Sequence, residues 1–143
     1  MAYWLVKSEP DGWSWEQQKK AGRKGAEWDG VRNFQARSNM KAMKKGDLAF
    51  FYHTGDEKAV VGVVEVIAEA HQDSTDPTGQ WQCVDVAAVE DLPRPVTLAE
   101  VKAHPKLKDM KLARVPRLSV QPVTPQEWSI ICKLGGLAKP PEA

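Results

Sequence analysis

Cysteine is scarce. Cys83 and Cys132 are the only two in 143 residues and stand far apart, so no disulfide framework organises the chain and two reduced, buried thiols are expected. Long apolar runs are missing: none approaches the roughly 20 residues of a membrane-spanning helix. The opening Met-Ala-Tyr-Trp-Leu-Val-Lys-Ser has no basic region ahead of an apolar segment, so neither a membrane anchor nor a signal peptide is expected, and the cytoplasm is the default location. The three histidines, His53, His71 and His104, are widely separated. Metal-ligand spacing is therefore absent, and no metal or other cofactor is expected. No nucleophile elbow, phosphate-binding glycine loop or dinucleotide fingerprint occurs. Internal repeats, low-complexity segments and interdomain linkers are missing too. The length suits one domain, 1–137, with a frayed tail at 138–143, and a monomer is expected.

Net charge is also low, at +1, but its distribution is uneven. Gln17–Lys58 carries ten Lys/Arg against five acids, Ala59–Glu100 one Arg against eight acids, and Val101–Ala143 eight Lys/Arg against three acids. Two basic segments flanking an acidic middle form one positive face if the fold brings them together, and phosphate binding needs only such a local patch.

What is present is legible as elements. Tyr3–Lys7 reads as a strand. Ser14-Trp15-Glu16-Gln17, Thr97-Leu98-Ala99-Glu100 and Thr124-Pro125-Gln126-Glu127 are capping boxes that each open a short helix. Phe34–Met43 is helix-like, with Phe34, Met40 and Met43 as inward residues. Leu48–His53 and Ala59–Ala68 read as antiparallel strands, the second with Val60, Val64 and Val66 on one face and Val61, Val63 and Ile67 on the other. Both faces are apolar, so the strand is expected to be covered on both sides. Trp81–Val89 is a further strand, and Arg117–Gln121 a last one bracketed by Pro116 and Pro122. The sum is α+β, with a mixed or antiparallel sheet of about five or six strands curled toward a barrel and short helices at its rim.

Trp28–Asn39 fits no core pattern. Trp28, Val31 and Phe34 alternate irregularly with Asp29, Arg32, Asn33, Gln35 and Arg37. A flat aromatic followed by amides and guanidinium groups is the inventory of a recognition site, although an irregular loop with Trp28 simply buried is the plain alternative. His53, at a strand end after Tyr52, is the best acid/base candidate. A backbone-bonded strand-end histidine is its plain alternative.

Tyr3-Trp4-Leu5-Val6-Lys7-Ser8-Glu9-Pro10, Trp28-Asp29-Gly30-Val31-Arg32-Asn33 followed by Gln35-Ala36-Arg37, then Gly46-Asp47 and Phe50-Phe51-Tyr52-His53 resemble the EVE domain family, in order and across Tyr3 to about Leu134. That family includes bacterial stand-alone proteins. The resemblance implies a PUA-like fold, a small curled β-barrel with flanking helices, related to the YTH readers of methylated adenine in RNA. It further implies a non-catalytic partner role: binding DNA or RNA that carries a modified base, such as a 5-substituted cytosine. A base taken out of its stack needs an aromatic sandwich and hydrogen bonds to its Watson–Crick edge. Carried onto this chain, the resemblance assigns Trp28 to stacking, Phe34 or Tyr52 to the second wall, and Asn33 and Ser8 to the base edge. Arg32, Arg37 and Lys7 are assigned to phosphate or orientation and His53 to the rim. Gln35, Arg117 and Ser119 complete the set, while Trp13 and Trp15 are expected to pack inward rather than line the mouth. The competing class is a hydrolase or nuclease-associated enzyme acting on a modified nucleoside, which a buried His53 beside an acid would favour.

Overall fold

The computed structural model describes residues 2–142; Met1 and Ala143, which the expected domain and tail include, lie outside the described residues. Six strands form one sheet: β1 (Tyr3–Ser8), β2 (Ala26–Glu27), β3 (Leu48–His53), β4 (Ala59–Gln72), β5 (Gln82–Thr97) and β6 (Val120–Val123). Their order is β2-β5-β4-β3-β1-β6, with β1 and β3 parallel and every other pair antiparallel. Five short helices surround it: α1 (Trp15–Lys20), α2 (Phe34–Ala42), α3 (Leu98–Ala103), α4 (Lys111–Arg114) and α5 (Pro125–Leu134).

All three capping boxes form. Ser14, Thr97 and Thr124 each accept the N–H three residues on, and Gln17, Glu100 and Glu127 reach back to the cap. Each such cap contributes about 1 kcal/mol. The last helix ends at Gly135-Gly136. Leu137 N–H donates to Cys132 O and Gly136 N–H to Lys133 O, with Gly136 at φ 90, a left-handed stop that costs glycine nothing.

Every residue of β3 is buried, because an apolar core covers each face of the sheet. One core gathers Trp4, Val6, Trp15, Trp28, Met40 and Phe51; the other gathers Leu5, Phe50, Tyr52, Trp128 and Ile131. The expected pairing of faces in β4 does not hold. Val60 and Val63 point to the second core, and Val61, Val64 and Val66 to the first. The register shifts between Val60 and Gly62 and again between Val63 and Val64, and one extra residue at a bulge moves every later side chain across the sheet.

Three further expectations, on the bounds of two strands and on Phe34, are corrected. β5 runs on to Thr97 through Pro93 and Pro95, and β6 is Val120–Val123, with Pro122 inside it. Proline is tolerated where a strand's outer edge lacks a partner, and β6 is the sheet's last strand. Phe34 does not turn inward: it is 61% exposed. In the tail, Pro141 O accepts the Trp128 indole N–H at 2.9 Å. The sheet is not a closed barrel; β2 and β6 are its two edges. The edges nonetheless bend toward one core, and α2 spans the gap, touching both β5 and β6. Its Asn39 Nδ2 donates to Val120 O at 2.7 Å and its Arg37 Nη1 to Gln80 O at 2.9 Å.

Candidate nucleic-acid interface

The gap between the two sheet edges opens into a cleft of about 690 Å³. The end of β1 supplies Lys7, Ser8 and Glu9, the following turn Gly12 and Trp13, the β2 edge Ala26 to Arg32, and the approach to β6 Ser119. The Lys7 N–H donates to Ser119 O at 2.9 Å, which sutures the β6 side to β1. On the β2 side the Trp28 N–H donates to Val84 O at 2.8 Å.

One buried carboxylate shapes the rim. Asp73, on the loop joining β4 to β5, has no exposed side-chain surface; it accepts the Gly30 N–H at 2.8 Å and pairs with Arg32 Nη1 at 3.1 Å. Burial works against its charge, but donors from Thr75, Gly30 and Arg32 win and hold its carboxyl down to about 2. Arg32 is thereby fixed: Nη1 also donates to Val31 O and Nη2 to Thr75 Oγ1. Asp29, in the cleft wall, shifts the other way. Burial and then the charges of Asp73 and Glu27 push its carboxyl upward.

Five of the twelve expected site residues meet in this cleft: Lys7, Ser8, Trp28, Arg32 and Ser119. Trp28 does so with little surface, being only 6% exposed and set edge-on against Phe51 at 5.3 Å. The Ser8 hydroxyl donates to Trp13 O. Lys7 turns its ammonium to Pro116 O at 2.7 Å, and burial lowers its pKa.

The other seven lie elsewhere. Tyr52 is buried in the core on the opposite face of the sheet, so it forms no wall facing Trp28. Asn33 spends its side-chain oxygen capping α2, accepting the Ala36 N–H at 2.8 Å. Gln35 donates to Asn39 Oδ1 at 3.2 Å on the outer face of α2. Phe34 stacks on Trp81 with centroids 5.1 Å apart, and the Arg37 guanidinium lies 5.0 Å from Phe34 and 5.1 Å from Trp81. Arg32 also lies 5.7 Å from the Trp81 ring. An exposed aromatic–guanidinium platform thus flanks the rim. Arg117 sits in an exposed turn with no hydrogen bond or ion pair among the described residues.

His53 is buried, and its Nδ1 is 2.7 Å from Glu57 Oε1, the pairing that would favour an enzyme. Its Nε2 accepts the Trp15 N–H at 3.0 Å. That leaves the proton on Nδ1 and no nitrogen free to take one from a substrate, and His53 is not in the cleft wall. Nε2 anchors the start of α1, and Nδ1 holds the turn between β3 and β4 through Glu57.

The cleft also contains residues that the sequence reading did not select: Trp13, Glu9, Glu27, Asp29 and Gly30. Trp13, expected to pack inward, is partly exposed and lines the mouth, its indole held by Gln18 Oε1 at 2.9 Å. Trp15 does pack inward, against Phe51. The signal for Asp29 and Gly30 lies inside the Trp28–Asn39 stretch, where amides and guanidinium groups outnumber the single carboxylate.

The model of the EVE domain family matches residues 2–134. A crystal structure of an Agrobacterium tumefaciens protein superposes with a TM-score of 0.96 at 56% identity, covering 100% of this chain and 99% of that one. Human THYN1 in complex with DNA containing 5-methylcytosine superposes with a TM-score of 0.88 at 34% identity, covering 95% of this chain and 98% of that one. The YTH domain of Zygosaccharomyces rouxii MRB1 shares the fold, at a TM-score of 0.57 and 16% identity over 99% of this chain and 88% of that one.

Proposed function

The chain belongs to the EVE domain family, and from that premise we propose that it is a non-catalytic reader of a modified base in nucleic acid, with a 5-substituted cytosine as its ligand. The observation that carries this reading is the cleft, where two tryptophans, Trp13 and Trp28, sit with the carboxyl of Asp29 and the small apolar side chains of Ala26 and Val31.

An extruded cytosine stacks on the Trp13 face, with Trp28 closing the inner end. Its exocyclic amine is a donor, and a carboxylate is the matching acceptor; Asp29 takes that part, with Ser8 Oγ accepting beside it. Ala26 and Val31 receive the 5-substituent. Outside the cleft the Phe34–Trp81–Arg37 platform holds the neighbouring nucleotides by stacking and charge, and Arg117 and Gln35 extend the polar rim. The relative bound to 5-methylcytosine DNA supports the choice of cytosine. The occupied nitrogens of His53 support binding without catalysis.

The test is a titration with short oligonucleotides carrying cytosine, 5-methylcytosine, 5-hydroxymethylcytosine or N6-methyladenine, as DNA and as RNA, at one salt concentration. Preference for a 5-substituted cytosine that disappears in Trp13→Ala and Asp29→Asn is expected. Equal, salt-sensitive binding to all probes would leave only a phosphate-binding surface.

A further inference from the structure

Beside the cleft, at the loop end of the β4–β5 hairpin, Glu27, His71, Cys83 and Asp85 bring one ligand atom each to within 4.8 Å of one another. Strand register assembles them: His71 pairs with Cys83 across β4 and β5, and Glu27 with Asp85 across β2 and β5. His71 Nε2 lies 2.8 Å from Asp85 Oδ1 and 4.0 Å from Cys83 Sγ. Its other nitrogen, Nδ1, lies 3.1 Å from Gln72 O. A backbone carbonyl there orients the ring and aims Nε2, one of the partners that commonly brace metal-ligating histidines. Glu27 is braced in the same way, since its Oε1 accepts the Ser74 hydroxyl at 2.6 Å, leaving Oε2 to coordinate.

We propose that these four side chains form a site for a zinc-class divalent cation, which fastens β2 and the cleft rim that follows it to the β4–β5 hairpin. The donor set, one nitrogen, one sulfur and two carboxylates, suits a borderline-soft ion. Bond lengths in tetrahedral zinc sites imply donor–donor separations of about 3.3–3.8 Å, so side-chain adjustments of under about 1 Å complete the geometry. Burial, then the charges of Glu27, Asp73, Asp85 and Asp29, push the Cys83 thiol up to about 12; a bound cation reverses that field and takes the sulfur as thiolate, releasing its proton to solvent.

Cobalt(II) is the probe. Full-length protein stripped with a chelator is titrated with cobalt chloride and followed by absorbance, then back-titrated with zinc. One equivalent should give a thiolate-to-cobalt band in the near ultraviolet and tetrahedral bands in the visible, both erased by zinc. Cys132→Ser should retain the thiolate band, Cys83→Ser should lose it, and His71→Gln should weaken affinity at least tenfold. Circular dichroism checks the folding of each variant. Since the His71 side chain is 38% exposed, His71→Gln keeps the test decisive even if Cys83→Ser misfolds. Absence of the thiolate band in the parent protein, or an affinity unmoved by His71→Gln, would overturn the site. Neither readout involves nucleic acid, so the result stands apart from the reader function.

Discussion

The guanidinium of Arg32 lies 3.1 Å from the carboxylate of Asp73, whose side chain is wholly buried. The same carboxylate takes the Gly30 N–H, so one acid from the acidic middle of the chain sets the shape of the basic stretch. It also explains why the cleft is not simply positive: Arg32 is already compensated.

Asp73 therefore links rim order to pH. Its carboxyl is held at about 2 in the folded chain against an ordinary 3.8. A depressed folded value means the stabilisation is complete above about 4 and is lost as pH falls toward 2; the shift corresponds to about 2 kcal/mol. Urea unfolding of the parent and Asp73→Asn at several pH values should show a gap that is widest near neutrality and narrows through this window. A gap independent of pH would deny Asp73 that role.

Trp13 and Trp28 should separate in their effects. Trp28 is a core side chain, so Trp28→Ala should destabilise the fold by about 3–5 kcal/mol and confound any binding measurement. Trp13 is partly exposed in the mouth; Trp13→Ala should lower oligonucleotide affinity roughly tenfold, as expected for the loss of about 1–3 kcal/mol of base stacking. Paired melting and binding curves decide between them, and unchanged affinity in a folded Trp13→Ala would move the base elsewhere.

Phe34→Ala should leave stability within about 0.5 kcal/mol, because the ring is largely exposed. It should reduce affinity for modified and unmodified oligonucleotides by a similar factor, since stacking on a neighbouring nucleotide carries no information about the modification. A loss confined to the modified probe would instead place Phe34 at the base itself.

His53→Ala should act on stability. Removing Nε2 strands the buried Trp15 N–H, at about 1–3 kcal/mol. Well below its melting temperature the variant should bind oligonucleotides within about threefold of the parent, measured by fluorescence anisotropy. A far larger binding loss in the folded variant would return His53 to the site.

Much of this architecture is local and so is written in the sequence. The three capping boxes, the Gly135-Gly136 stop and the apolar Leu48–His53 run each depend on neighbours a few residues away, and each forms as the residue types require. The family motifs from Tyr3 to His53 also lie in contiguous stretches. Cleft membership is a different kind of property. Tyr52 and Ser8 both sit near strand ends, yet alternation sends Tyr52 to the far core, while Ser8 lines the cleft. Bulges in β4 reassign Val64, and a side chain one residue out of step changes face altogether. Glu27, His71, Cys83 and Asp85 show no ligand spacing because three strands and a register must exist before they meet. Local chemistry thus determined which elements form, and the sheet's curl, which brings β2 and the approach to β6 to opposite sides of one cleft, decided which of their residues work together.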